Sequence, residues 1–290
     1  MPIQHANGID INCSLQNPSL PSPTTETVVL INGLADDLES WYLQVPTLLT
    51  AGYRVVTFDN RGVGKSSSPP GSYTAELLAD DTKALISTLG LGIRMEDGFG
   101  PTGEKFHLMG ISMGGMIAQS YALAHPQDLL SLTLACTYAS PGPFCSRLFS
   151  MWESAVRIQG IAGKKFVAMD TLLWCFTQRF FNEREEELKE VENALLAEGG
   201  QSLEAYLSQL NVIQKFDSRQ KAQTLAGGGF KVLVLAGEED ILIPTRSSRE
   251  LHGLIVGSEW RTVKGGHGCS WEFPEEFNEA FVEFLKSSRG

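Results

Sequence analysis

The sequence predicts an α/β protein: a mostly parallel sheet with helices on both faces and a helical cap inserted between two strands. Three observations predict it. Short β-branched and apolar runs alternate with stretches of helical spacing along most of the 290 residues. Several of those runs are apolar throughout, as in strands buried on both faces. Between Ser140 and Leu225 the alternation stops and only helical spacing remains. The expected division is a core of residues 1–139 and 226–290 and a cap of residues 140–225.

The elements follow in order. Residues 2–16 read as two short strands joined at Asn7-Gly8, with Ile9, Ile11 and Cys13 alternating with Asp10, Asn12 and Ser14. Residues 17–25, rich in Pro and Ser, are a surface loop. Residues 27–31 form a buried strand that ends in Asn32-Gly33-Leu34, and Asp36 and Asp37 follow in a solvated loop. Trp41, Val45, Leu48 and Leu49 share one helical face; Pro46 opens the main helix and Ala51-Gly52 closes it. Residues 54–58 are the next buried strand. In the loop after it, Asp59 and Arg61 are read as brackets. Gly62-Val63-Gly64 lacks the spacing of a phosphate loop, which excludes nucleotide binding.

A helix covers residues 74–89, with Leu77, Leu78, Ala84, Leu85 and Leu89 as its buried side. Residues 90–105 read as a long exposed excursion containing Met95-Glu96-Asp97. A strand at 106–109, a tight turn and a helix from Met113 to about His125-Pro126 come next, then a strand at 130–134. Four helices are expected in the cap. Phe144, Leu148, Met151, Trp152 and Ala155 share a face of the first, and Phe166, Met169, Leu173, Trp174 and Phe176 belong to the second. Asn182 caps an acidic third, and Leu203, Tyr206, Leu207, Leu210 and Ile213 make the fourth. The sheet resumes at residues 231–235. A helix at 245–253, a strand at 259–263 and a helix opened by Pro274 and packed through Phe277, Phe281, Phe284 and Leu285 complete the chain.

A net charge of −11 argues against nucleic acid and anionic membrane surfaces as partners. No apolar run has the length of a membrane span, about 18 residues. The first residues lack the pattern of a secretory signal, and Ser287-Ser288-Arg289-Gly290 carries no legible address. The five cysteines are widely spaced with no Cys-x-x-Cys, which fits free thiols in a reducing, cytoplasmic setting. No His/Cys cluster has metal-ligand spacing, so neither a metal nor a cofactor is expected.

Gly110-Ile111-Ser112-Met113-Gly114 is the Gly-x-Ser-x-Gly pattern of a nucleophile elbow. A strand-to-helix reversal this sharp exposes the Ser112 hydroxyl, whereas the same glycines in an ordinary turn would make Ser112 a bystander. Serine needs a base during attack. Of the five histidines, His5 lies near the start, His107 lies inside a strand, His125 ends a helix and His252 sits on an outer helix. His267 follows a strand and is flanked by Gly265-Gly266 and Gly268, so it is the candidate base. Asp240, ahead of Glu238 and Glu239, is the candidate carboxylate that would orient it; a solvated acidic turn is the other reading. The amides of Leu34 and Met113 are the candidate oxyanion donors, although Gly33-Leu34 reads equally well as a plain turn.

These pieces together resemble the α/β-hydrolase superfamily over nearly the whole chain. They are Leu30-Ile31-Asn32-Gly33-Leu34, the loop from Phe58 to Ser66, Gly110 to Gly115, Gly237-Glu238-Glu239-Asp240 and Gly266-His267. The flavour is similar to the esterase, enol-lactonase and aclacinomycin-methylesterase-like group. The resemblance implies an eight-stranded sheet, a helical cap and a Ser112–His267–Asp240 triad. The chain departs from many relatives by Asn32-Gly33 where they have His-Gly, and by the length of its 91–105 connection. The expectation is a serine hydrolase of a small, largely apolar ester or lactone that works through an acyl-Ser112 intermediate. Its rivals are a ligand receptor on the same fold, a catalyst of a non-hydrolytic rearrangement and a serine-type perhydrolase. The oligomeric state is not legible.

Overall fold

The computed structural model describes residues 3–20, 25–96, 100–196 and 201–288. Asn7 at φ 49° and Gly8 at φ 72° supply the left-handed pair of a tight hairpin, which joins β1 (Ile3–Ala6) to β2 (Ile9–Gln16). The apolar run Thr27–Ile31 is β3, buried along its whole length. A six-residue helix, α1 (Val45–Thr50), follows, with Pro46 in its first turn and Gly52 at φ 90° beyond its end. Then come β4 (Arg54–Phe58) and α2 (Ala75–Thr88), the latter capped by the Thr74 hydroxyl on the Leu77 amide.

A small hairpin, β5 (Arg94–Glu96) and β6 (Gly100–Thr102), precedes the central strand β7 (Phe106–Ile111) and its helix α3 (Met113–Ala124). After β8 (Leu129–Ala135) come α4 (Pro143–Gln159), α5 (Ile161–Cys175), α6 (Gln178–Glu183), α7 (Glu185–Leu196) and α8 (Leu203–Lys215). The chain returns through β9 (Lys231–Gly237), α9 (Thr245–Leu254), β10 (Glu259–Val263), α10 (Cys269–Glu272) and α11 (Pro274–Ser287).

Eight strands form one sheet in the order β1-β2-β4-β3-β7-β8-β9-β10, with only β2 running antiparallel to its neighbours β1 and β4. Side chains of α2, α3 and α9, such as Leu78, Ile117 and Leu251, pack on one face. The other face is covered by Val45 and Leu48 of α1 and by Phe277, Phe281 and Phe284 of α11. Each fully buried aromatic of that kind contributes about 1.5–3 kcal/mol. Because β3, β7, β8 and β9 are parallel and central, their carboxyl ends open onto one rim, where side chains from distant segments can meet.

The structure corrects several expectations. Among the described residues, five α-helices, not four, fill the stretch between β8 and β9. Asn182 lies inside α6, which is capped by Thr177 instead. Phe144 and Met151 on α4 and Phe166, Met169 and Leu173 on α5 are exposed, since helical spacing alone does not say which face meets a partner. The 90–105 connection is anchored: the Ile93 amide donates to Asp128 Oδ1 at 2.7 Å, and Leu91 is buried. Asp97 lies outside the described residues. No described helix is long and apolar enough to cross a membrane.

Candidate active site

Ser112 sits at the turn from β7 to α3 with φ 55° and ψ −121°. That conformation costs a side-chain-bearing residue roughly 1–3 kcal/mol, so the surroundings must hold it. The glycines permit the turn by close approach. A Cβ on Gly110 would lie 2.1 Å from the Gly114 carbonyl, and one on Gly114 would lie 2.1 Å from the Ile31 carbonyl. The end of β8 locks it: the Ser112 amide donates to Ala135 O at 2.9 Å, and the Thr137 hydroxyl donates to Ser112 O at 2.8 Å.

Cys136, between those two anchors, links this turn to the other candidates. Its Sγ, a carboxylate oxygen of Asp240 and a ring nitrogen of His267 all lie within 4.8 Å of one another. Asp240 follows β9 and His267 follows β10. Their loops are stitched together by the Glu239 amide on Gly265 O at 2.9 Å, and Gly237 and Gly266 approach too closely for a Cβ on Gly237. His267 Nδ1 meets Asp240 Oδ2 at 2.8 Å, which leaves Nε2 as the free ring nitrogen. Asp240 Oδ1 also accepts from the Ile243 amide at 2.9 Å. Asp240 is buried, whereas its competitors Glu238 and Glu239 are exposed.

Burial of His267 pushes its imidazole toward the neutral form. The Asp240 carboxylate, through charge and hydrogen bond, and then Cys136 and Asp36 outweigh that and hold it up at about 9. The structure brings Asp240 and His267 into contact and sets Ser112 beside the strand end that carries Cys136. No hydrogen bond joins the Ser112 hydroxyl to another described residue. Cys136, Asp240 and His267 are also the one trio among the described residues with donors close enough for a cation. All three are buried, and two of them are already bonded to each other.

The loop after β3 supplies Leu34. Neither its amide nor that of Met113 donates to another described residue. Asn32 braces this loop. Its amide nitrogen donates to Ser40 Oγ at 2.6 Å, and its Oδ1 accepts from Trp41 Nε1 at 2.9 Å. Asp59 ties the loop to the one after β4 by accepting from the Leu38 and Lys65 amides, each at 2.8 Å. Arg61 forms a buried pair with Asp81, Nε to Oδ2 at 2.7 Å, so both loop charges act as brackets.

Two residues that sequence reasoning missed hold the site from outside the strand ends. Gln209 of α8 accepts from the Ala35 amide at 3.0 Å and donates to Arg61 O at 2.8 Å, pinning the Leu34 loop to the helical block. Glu272 of α10 accepts from the Gly266 amide at 2.8 Å and from the Thr177 hydroxyl at 2.6 Å, pinning the His267 loop. Removing that buried acceptor strands three donors, the Gly266 amide and the Thr177 amide and hydroxyl, at about 1–3 kcal/mol or more. Glu272→Ala is therefore expected to lower the unfolding free energy by about that amount, read as a lower urea midpoint. An unchanged midpoint would show the carboxylate to be dispensable.

Asp36 departs most from expectation. It is half-buried, not fully solvated: an ideal Cβ on Gly33 would lie 3.2 Å from Asp36 Oδ2 and 3.5 Å from Ser112 Cβ. Burial, and then the charge of Asp37, push its carboxyl up to about 6, with His267 opposing. The folded protein thus favours the protonated acid. That advantage is complete below the ordinary carboxylate value of about 4 and is lost as pH rises through about 6. Asp36→Asn is expected to raise the melting temperature at pH 8, by roughly 2 °C or more, with the gain vanishing toward pH 4. An equal gain at both pH values would contradict this.

Comparisons with known proteins agree with this architecture. The chain is 27% identical over 271 residues to the Caulobacter segnis protein named "Putative carbamate hydrolase RutD", covering 92% of this chain and 94% of that one. Among solved structures it is similar to the enol-lactonase from Burkholderia xenovorans, with a TM-score of 0.84 at 25% identity over 98% of this chain and 100% of the other. A thermophilic esterase from Thermogutta terrifontis matches with a TM-score of 0.80 at 25% identity, over 97% of this chain and 95% of that one. The family model of the alpha/beta hydrolase fold matches residues 26–274, and this chain belongs to that family.

Proposed function

We propose that the protein is a serine hydrolase that cleaves an ester or lactone of a small molecule. Ser112 attacks the carbonyl while His267 Nε2 takes its proton, and the same imidazole returns the proton to the departing oxygen. Asp240 fixes the tautomer and offsets the imidazolium charge. The Leu34 and Met113 amides receive the negative oxygen, each worth on the order of 3 kcal/mol of barrier. Water then releases the acyl group by the same steps in reverse. The helical block of residues 140–225 serves as a cap over the site. Two cap contacts support this role: Gln209 on the Ala35 amide, and Cys175 O accepting from the Gly268 amide at 2.8 Å.

The observation that carries the reading is the buried 2.8 Å contact of His267 Nδ1 with Asp240, made through the one ring nitrogen that leaves Nε2 for serine. The names of the enol-lactonase and esterase neighbours support the ester or lactone bond, and the name of the Caulobacter relative extends the class to carbamates. The test is a fluorophosphonate probe together with a panel of p-nitrophenyl esters and lactones. Stoichiometric labelling at Ser112, with turnover lost on labelling, is the expected result. Turnover that survives full labelling would defeat the proposal.

A further inference from the structure

Among the described residues, the carboxylates at this rim differ in one respect. Asp240 is matched by His267 and the Ile243 amide, and Glu272 by Thr177 and the Gly266 amide. Asp59, farther back, accepts from Leu38, Lys65 and Asn12. Asp36 has no hydrogen-bond donor among the described residues, yet it lies against Gly33 on the side that faces Ser112 Cβ. The backbone holds it there. Ala35 has φ 63°, a left-handed conformation in a residue with a side chain, and its amide is clamped by Gln209. Asp36 is therefore an unclaimed acceptor on the same face of Gly33 that Ser112 Cβ approaches.

For a neutral substrate this placement is a liability, because a carboxylate near the developing oxyanion repels it. A positive group on the substrate reverses the sign. It would take the unused acceptor in a charge-assisted hydrogen bond and offset the repulsion. The net charge of −11 also draws cations, not anions, toward the protein.

We infer that Asp36 is a specificity-determining residue that binds an ammonium or protonated amino group carried within a few bonds of the scissile carbonyl. The preferred substrates are thus amine-bearing esters. This rests on the serine-hydrolase reading above and narrows it. No covalent step is added: the amine remains a bound counter-charge while the acyl group is transferred.

The test compares alanine methyl ester with methyl propanoate, by pH-stat, in wild type, Asp36→Asn and Asp36→Ala. Wild type is expected to favour the amine-bearing ester. In both variants the ratio of kcat/KM for the two esters is expected to fall by about tenfold or more, the scale of one lost hydrogen bond to a charged group. Fluorophosphonate labelling of Ser112 and a melting curve accompany each protein. A ratio that stays within twofold in a folded, labelled variant overturns the role of Asp36 and leaves the serine reading standing. Failure of wild type both to label and to turn over either ester removes both.

Discussion

Ser112→Ala is expected to lower kcat for ester hydrolysis by about 10³–10⁶-fold, with little change in substrate affinity. The physical ground is that alanine removes the oxygen proposed to attack and leaves no substitute for it. Cys136, the other nucleophilic atom at the cluster, is buried and packed against the Cys269 thiol at 3.6 Å. The substitution is also sterically mild. The turn is held by backbone contacts to Ala135 and Thr137 that do not involve the hydroxyl. The variant should therefore fold, and its circular dichroism and melting temperature should match wild type within a few degrees. Steady-state kinetics on the best ester of the panel provide the measurement. Equal rates in the two proteins would assign the hydrolysis elsewhere, and a rearrangement activity retained in the variant would favour the non-hydrolytic rival.

Asp240→Asn should have the second largest effect, a loss of about 10⁴-fold in kcat at neutral pH. An asparagine of nearly the same shape can present its amide N–H to His267 Nδ1, which forces the opposite tautomer and protonates the nitrogen that serine needs. It also removes a charge from a site where water is scarce. With the carboxylate in place, His267 is held at about 9 despite its burial. The base is neutral only above that value, so kcat/KM in wild type is expected to rise with pH through about 9. Without the carboxylate, burial is opposed only by Cys136 and Asp36, and the rising limb moves to lower pH as the rate drops. A pH–rate profile of both proteins decides the point. A limb that does not move would mean that Asp240 is not the group that sets His267.

Much of this was legible before any coordinates. The strands were, because β3, β4, β8 and β9 are runs of β-branched and apolar residues bounded by turns, and that signal is local. The elbow was, because a strand, a Gly-x-Ser-x-Gly turn and a helix follow one another without interruption. The choice of His267 among five histidines also came from local context. The structure puts the other four in different settings: His5 exposed on β1, His107 buried against Ser131, His125 at the end of α3 and His252 bonded to Ser258. Helical periodicity did less well between β8 and β9, where Phe144, Met151, Phe166, Met169 and Leu173 turned outward. A helix that packs on only part of its apolar surface leaves the rest exposed, and spacing alone cannot say which part.

The order of the chain alone thus determined a parallel sheet with its candidate site residues at the strand ends, because strand and turn signals are written within a few consecutive residues. Only the tertiary structure decided how those ends are held and what they face. Gln209 meets a loop 174 residues away, and Glu272 reaches Thr177 across 95 residues. Asp36, read as a solvated neighbour of Asp37, is half-buried against Gly33, beside Ala35 with its left-handed conformation and its clamp from a distant helix. Where a carboxyl points depends on backbone torsions imposed by contacts between remote segments, and those contacts exist only once the chain has folded.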